Sequence, residues 1–72
     1  MNEFILVEFE EVREVVIDTH ASGYDSGDVI ELVPGTHSIS LAGSKNYTPA
    51  EQDVSPSGTS PIQPLIVHFS KV

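Results

Sequence analysis

Hydrophobic and polar residues alternate with a period of two along most of this chain, which predicts β-strands that bury one face and expose the other. The first alternating run covers residues 5–10, and the second covers residues 14–18. Val12 and Arg13 lie between the two runs and predict a turn or bulge. A helix over residues 8–18 is the competing interpretation. We prefer strands, because this stretch is rich in β-branched residues, which favour extended structure.

Two further alternating runs, residues 29–33 and 36–42, flank the dipeptide Pro34-Gly35. Proline presets a φ of about −65°, and glycine accepts the positive φ that a type II turn needs at the next position. The pattern therefore predicts a β-hairpin whose turn is Pro34-Gly35. Residues 18–28 precede this hairpin and are rich in Asp, Ser and Gly, so they predict a loop.

The C-terminal third of the chain predicts two strands and a loop. The strand over residues 47–54 is interrupted, or confined to a sheet edge, by Pro49, since proline cannot donate to a β-ladder. A polar loop follows over residues 55–64, and a last strand covers residues 65–69. Short, evenly spaced strands without a crossover helix predict an all-β fold. We expect a small antiparallel β-sandwich of about six or seven strands, forming one domain over residues 1–72. The predicted core consists of Ile5, Val7, Phe9, Val15, Ile17, Ile30, Leu32, Ile39, Leu41, Tyr47, Leu65, Val67 and Phe69.

The charge of the chain is strongly acidic: eleven Asp and Glu residues oppose three Lys and Arg residues, for a net charge of −8. Nucleic-acid binding needs clustered Lys and Arg to displace counterions from phosphates, so this composition predicts no nucleic-acid partner. No apolar run approaches the roughly 20 residues that span a bilayer, so no membrane insertion is predicted. Residues 1–10 show neither the basic region nor the cleavage site of a signal peptide, which predicts a cytoplasmic location if the chain is full-length.

An ordered set of motifs runs from Val15 to Val54. It comprises Val15-Val16-Ile17-Asp18, a glycine-containing turn at Ser22-Gly23, the run Ile30-Glu31-Leu32-Val33-Pro34-Gly35-Thr36-His37, and Asn46-Tyr47. This set resembles the PEGA domain, a small β-sandwich of the prealbumin and carboxypeptidase-regulatory type, whose hairpin reads L-x-L-x-P-G-x-H. The family's signature tetrapeptide is replaced here by Glu10-Glu11-Val12-Arg13, and Thr19 stands where the family has glycine. The resemblance implies a non-catalytic module.

Candidate ligand-binding residues cluster in the predicted loop 18–28. Asp18, His20, Asp25 and Asp28 offer oxygen and nitrogen ligands, and the loop has glycine at the sixth position of an EF-hand register. The bidentate ligand of an EF-hand is replaced by Val29, so the loop remains a candidate for a looser Ca²⁺ site or for carbohydrate binding. The alternative is that its Asp and Ser side chains cap turns.

No motif of the chain carries the chemistry of catalysis. There is no cysteine, and Ser57-Gly58-Thr59-Ser60 lacks the Lys and the helix of a phosphate-binding loop. His20, His37 and His68 are not at the spacing of a local zinc site. We therefore predict no enzyme activity, no cofactor, and neither catalytic nor metal-binding residues.

Four apolar residues face outward on strands whose other face is in the predicted core, namely Phe4, Leu6, Val16 and Ile66. If they gather, they form an apolar patch that marks an interface. The sequence therefore predicts a non-catalytic structural or protein-interaction module, with a protein partner or self-association. The alternative is a Ca²⁺- or carbohydrate-binding module that uses residues 18–28.

Overall fold

The computed structural model describes all 72 residues, which form nine β-strands and no helix. With every element extended, no segment provides a helix that is long and apolar enough to cross a membrane. The strands are β1 (Glu3–Glu8), β2 (Glu14–Ile17), β3 (His20–Asp25), β4 (Val29–Leu32), β5 (His37–Leu41), β6 (Tyr47–Thr48), β7 (Gln52–Val54), β8 (Leu65–His68) and β9 (Ser70–Lys71).

These strands form two principal sheets that share one core. The three-stranded sheet has the order β4-β1-β8, and the four-stranded sheet has the order β3-β2-β5-β7. A short ladder joins β6 to β9. The predicted small all-β sandwich is confirmed. Its pairings are antiparallel except one, since the loop over residues 55–64 returns the chain to the first sheet and β8 lies parallel to β1.

The predicted hairpin at Pro34-Gly35 is wrong. β4 pairs with β1 in the three-stranded sheet, whereas β5 pairs with β2 and β7 in the four-stranded sheet. Pro34-Gly35 is therefore a link that carries the chain from one sheet to the other. Gly35 has a φ of 123°, which L-residues rarely adopt, so the positive φ that the sequence predicted is present in a different connection. Alternation shows which face of a strand is buried, but it does not identify the neighbouring strand.

The predicted loop over residues 18–28 contains a strand instead. β3 pairs with β2 in a hairpin whose two-residue turn is Asp18-Thr19, with φ values of 51° and 67°. Positive φ at both positions is the geometry of a type I′ turn, which matches the twist of paired strands. A register shift between Glu14 and Val16 accompanies a bulge near Gly23, so Ser22-Gly23 lies within the strand pair rather than at its turn. The sequence pattern did not predict β3, because this edge strand is exposed at nearly all positions and therefore shows no alternation of apolar and polar residues.

The core matches the predicted one closely. Ten predicted residues form a single buried cluster, and Phe9 and Ile17 pack against it while partly exposed. Leu65 is the exception: it is 37% exposed, because it opens edge strand β8 directly after Pro64. Tyr47 lies within the cluster, where its hydroxyl donates to the Leu41 carbonyl at 2.9 Å. The buried members are Ile5, Val7, Val15, Ile30, Leu32, Ile39, Leu41, Tyr47, Val67 and Phe69.

The remaining predicted segments lie close to where the sequence placed them, although β1 covers Glu3–Glu8 instead of residues 5–10 and the short strand β9 follows the strand predicted to be the last. The strand predicted over residues 47–54 is interrupted at Pro49 into β6 and β7, and β7 is an edge strand. The polar loop that follows is held to β1 through Thr59, whose hydroxyl accepts from the Phe4 amide at 2.7 Å and donates to Glu3 Oε1 at 2.6 Å. The hydrogen bonds that the Thr59 hydroxyl and amide donate to Glu3 lower the pKa of the Glu3 carboxyl, and together with the bond from Phe4 they hold the loop before the chain enters β8.

Candidate functional site

The outer face of the three-stranded sheet carries a continuous row of apolar side chains. Leu6 in the central strand β1 is opposite Val29 of β4 on one side and opposite Ile66 of β8 on the other. Residues directly opposite in neighbouring strands point to the same face of a sheet. Val29 is 40% exposed and Ile66 is 48% exposed, while Leu6 between them is partly exposed. We call Val29, Leu6 and Ile66 the apolar row.

The apolar row brings together most of the outward residues that the sequence singled out. Phe4 is two positions from Leu6 on β1, so it shares the outer face and extends the row. Val16 lies on β2 in the other sheet and is therefore separate from this patch. Acidic residues flank the row: Glu31 is opposite Phe4, and Glu8 is opposite His68.

A groove of about 560 Å³ opens at the C-terminal end of β1, next to the apolar row. Its apolar lining comes from Leu6, Val7, Phe9 and Val12, and Val12 is 76% exposed. Its rim carries carboxylates, including those of Glu8 and Glu10. We call this concavity the β1 groove. Because Leu6 belongs to both features, the row and the groove form one continuous surface.

The carboxylates of the β1 groove differ in their partners. Glu11 receives the Lys71 ammonium at 2.7 Å and the Arg13 guanidinium at 3.4 Å, so its charge is compensated. This pairing lowers the pKa of Glu11 and raises the pKa of Lys71. Glu10 is exposed and takes part in none of the four ion pairs, and Glu8 meets only His68, at 3.5 Å. Two exposed carboxylates of the groove therefore form no ion pair with a Lys or Arg side chain.

Arg13, which follows Val12 of the groove, stabilises the fold through its guanidinium. Its guanidinium donates from Nε to the Ala42 carbonyl at 2.7 Å and from Nη1 to Asn46 Oδ1 at 2.9 Å. It also lies 5.8 Å from the ring centroids of Phe9 and Tyr47. The planar guanidinium thus holds the loop between β5 and β6 against Phe9 and Tyr47 at one end of the core. Only 14% of this side chain is exposed, so its donors serve the fold rather than a ligand.

The sequence placed His37 in a strand and Asp18 in a loop, and the structure brings them together as an ion pair in which His37 is buried and Asp18 is half exposed. His37 Nδ1 lies 2.7 Å from Asp18 Oδ2, and His37 Nε2 lies 2.7 Å from the Val33 carbonyl. Both partners are acceptors, so both hydrogen bonds form together only when the ring is protonated, and the geometry favours the imidazolium. The hydrogen bond that His37 donates to Asp18 is the main cause of the raised pKa of His37, and the same bond, helped by the Ser38 amide, lowers the pKa of Asp18.

The acidic residues predicted to share a loop are divided between the two ends of β3. Asp18 forms the turn at one end, while Asp25 and Asp28 form the turn at the other, where Asp28 Oδ2 accepts from the Asp25 amide at 2.9 Å. Six extended residues between these turns span roughly 20 Å. No group of three or more His, Asp or Glu side chains in the structure is arranged to hold a metal ion. The three histidines lie on three different strands: His20 on β3, His37 on β5 and His68 on β8.

Beside the β1 groove, a serine contacts a histidine, and the histidine in turn contacts a carboxylate. Ser70 Oγ is 3.3 Å from His68 Nε2, and His68 Nδ1 is 3.5 Å from Glu8 Oε1. The order is that of a nucleophile, a base and an orienting group. Both contacts are longer than the roughly 2.7–2.9 Å of charge-assisted hydrogen bonds. The side chains of His68 and Glu8 are 65% and 54% exposed, so water competes for both contacts. Local spacing did not reveal this arrangement, because Glu8 is distant in sequence.

Comparison of the chain with protein-family models, with curated proteins and with solved structures finds no match. Functional interpretation therefore depends on the surface of the molecule. The two features of that surface are the apolar row and the β1 groove, which share Leu6.

Proposed function

We propose that this chain is a non-catalytic protein-interaction module that binds a partner protein through the outer face of its three-stranded sheet. The observation that carries the proposal is the apolar row, which crosses all three strands on the face away from the core. A sheet that buries only one face ordinarily presents polar side chains on the other. Three apolar side chains in register on that face, extended by Phe4, form a contiguous patch of the kind that partners cover.

The charge of the molecule favours a different protein as the partner, rather than a second copy. Each copy carries a net charge of −8, and Glu31 and Glu8 flank the apolar row. Two copies that met on this face would bring like charges together, which is unfavourable at short range. A partner with basic groups around an apolar centre would match both the row and its flanks. Self-association is the alternative outcome of the tests below.

We also propose that the module is PEGA-like. The order of its motifs supports this assignment, from Val15-Val16-Ile17-Asp18 through Pro34-Gly35 to Asn46-Tyr47. A non-catalytic appendage that binds a partner agrees with what that resemblance implies. Two features depart from what the resemblance predicted: Ser22-Gly23 forms a bulge instead of a turn, and Pro34-Gly35 links two sheets instead of closing a hairpin.

Affinity capture with matched surface variants tests the interaction. The wild-type chain, Ile66→Ser and Val72→Ser are immobilised and exposed to extract from the cells that produce the chain. Val72 is 79% exposed and lies outside the apolar row, so Val72→Ser controls for the loss of one surface valine. We expect the same defined protein to bind wild type and Val72→Ser and to be lost with Ile66→Ser. Equal capture by all three, or capture of the chain itself, would contradict a heterotypic partner on this face.

The non-catalytic part of the proposal is tested at Ser70. Hydrolysis of p-nitrophenyl acetate is measured for wild type and Ser70→Ala. Because water competes along the Ser70–His68–Glu8 contacts, we expect the two rates to be equal within about twofold. A fall of more than about tenfold in Ser70→Ala would show a nucleophilic serine and overturn the assignment.

A further inference from the structure

We infer that the β1 groove receives an Arg or Lys side chain of the partner, carried next to an apolar residue that extends onto the apolar row. This inference rests on the proposed function and names the chemistry of the partner segment. It follows from the shape and lining of the groove and from the distribution of charge around it.

The lining of the groove suits the stem of a long basic side chain. Leu6, Phe9 and Val12 supply apolar surface, and the large exposed fraction of Val12 leaves that surface open to a ligand. Arg and Lys side chains lay their methylene stems on apolar surface and keep the charged head at a polar rim. A volume of about 560 Å³ admits one such side chain and part of its neighbour.

The charge of the rim selects a cation. Glu8 and Glu10 lack a strong cationic partner, whereas Glu11 is compensated by Lys71 and Arg13. The third base of the chain, Lys45, lies 6.0 Å from the centroid of the Tyr47 ring. Lys71 acts on Glu10 only at longer range and forms its ion pair with Glu11, so an Arg or Lys from the partner would give Glu10 a direct cationic partner.

A segment of protein fits the groove better than a metal ion does. The carboxylates of the rim do not form a group of three that is arranged around one point. A hard cation needs several oxygen ligands at short distance, and apolar lining contributes none. An organic cation with an apolar stem uses both the carboxylates and the lining. The apolar row, which begins at Leu6, then accommodates the neighbouring apolar side chain of the same segment.

The inference is tested by titrating the ¹⁵N-labelled chain with three short peptides and following the amide shifts. The probe is acetyl-Leu-Arg-Leu-amide, and its matched controls are acetyl-Leu-Glu-Leu-amide and acetyl-Ser-Arg-Ser-amide. We expect the probe to shift the amides of residues 6–12, Ser26, Gly27 and His68 in a saturable way. Each control, lacking either the cation or the apolar neighbours, should bind at least about fivefold more weakly.

Two pairs of variants locate the site. Glu10→Gln removes one rim carboxylate, and Glu51→Gln makes the same change of charge on the connection between β6 and β7. Val12→Ser removes apolar lining, and Val72→Ser makes the same change at another exposed valine. We expect Glu10→Gln and Val12→Ser each to weaken the probe severalfold, and the two controls to leave its affinity unchanged.

The outcomes separate this inference from the proposed function. If the probe shifts amides evenly over the acidic surface, fails to saturate, or is weakened equally by Glu51→Gln, the inference is overturned. Loss of the captured protein with Ile66→Ser would still support the interaction face in that case. If the probe binds in the groove but capture is insensitive to Ile66→Ser, the groove is a site for a basic side chain and the proposed interaction face is wrong.

Discussion

At the scale of single residues, His37 connects three segments that are distant in sequence. One ring nitrogen donates to Asp18 in the turn between β2 and β3, and the other donates to the Val33 carbonyl at the end of β4. His37 itself opens β5, directly after the link that joins the two sheets. The residue is 8% exposed, so its ring nitrogens depend on these two partners, of which Asp18 is itself half exposed. A charged imidazole is therefore part of the fold.

The free energy of unfolding should depend on pH through this pair. The raised pKa of His37 gives a contribution that is complete below the unfolded value of about 6.5 and is lost as the pH rises through the folded value. The lowered pKa of Asp18 gives a contribution that is present above about 3.9 and is lost as the pH falls through its folded value. We expect urea unfolding to show higher stability at pH 5 than at pH 8.

The control for this pH dependence is His37→Gln, which keeps a donor but does not titrate. It should be less stable than wild type at pH 5 and should lose most of the difference between pH 5 and pH 8. His20 and His68 remain in the variant, so a difference of full size would assign the effect to those residues instead. Equal stability of wild type at the two pH values would also contradict the account.

Thr19 occupies a backbone conformation that disfavours it. Its φ is 67°, in the second position of the two-residue turn between β2 and β3. The left-handed conformation costs an L-residue about 1–2 kcal/mol, while glycine in place of another residue costs about 0.5–1 kcal/mol in chain entropy. We therefore expect Thr19→Gly to raise the free energy of unfolding by about 0.5–1 kcal/mol in urea titrations. Thr19→Ala retains a Cβ and is the control; an equal gain in both variants would show that strain at φ is not the cause.

At the scale of elements, two connections define the sandwich. The link at Pro34-Gly35 carries the chain between the sheets, and the loop after β5 is held by the Arg13 guanidinium. These connections depend on different physical effects. At Gly35 the requirement is backbone conformation, because a Cβ there would meet no atom within 4 Å. At Arg13 the requirement is a side chain whose several N–H donors have a fixed geometry, because they must reach Ala42 and Asn46 at the same time.

Gly35→Ala tests the requirement for backbone conformation. Its φ of 123° lies outside the left-handed region that other residues tolerate, so alanine there should cost about 1–3 kcal/mol. Gly58→Ala is the matched control, because its φ of 68° lies within that region and its Cβ is also unobstructed. Urea unfolding should show a larger loss for Gly35→Ala than for Gly58→Ala. Similar losses would mean that the link does not impose a conformation specific to glycine.

Arg13→Lys tests the requirement for a planar fork. Lysine cannot reproduce the donors to Ala42 and Asn46 at once, so these acceptors lose partners in a mostly buried position. We expect a loss of about 1–3 kcal/mol in the free energy of unfolding. Lys45→Ala removes an exposed cation near the same ring and should cost under about 0.5 kcal/mol. A neutral Arg13→Lys would show that charge alone holds the loop.

At the scale of the whole molecule, charge and apolar surface are distributed unevenly. The three basic residues gather around Tyr47: Arg13 and Lys45 lie near its ring, and Lys71 pairs with it across the ladder of β6 and β9. The rest of the surface is acidic. The apolar row lies between carboxylates on the outer face of the three-stranded sheet. This distribution is the reason for proposing a partner whose contact surface combines apolar and basic side chains.

Burial could be predicted from the sequence, but strand pairing could not. A period of two identifies inward residues such as Ile5 and Ile39 locally, so the core followed from the pattern. The neighbours of each strand depend on contacts between distant residues, which is why the link at Pro34-Gly35 was interpreted as a hairpin. The β1 groove also combines distant residues, such as Val12 and His68, and no local motif marks it.

The central claim is that the apolar row contacts a partner protein, and site-specific photo-crosslinking tests it most directly. The photoreactive residue p-benzoylphenylalanine replaces either Ile66 in the row or Val72 outside it, in cells that produce the chain. Both side chains are exposed, so neither replacement disturbs the core. The account predicts one discrete adduct with a different protein from position 66 and none from position 72. The absence of an adduct at position 66, or the same adduct from both positions, would contradict it.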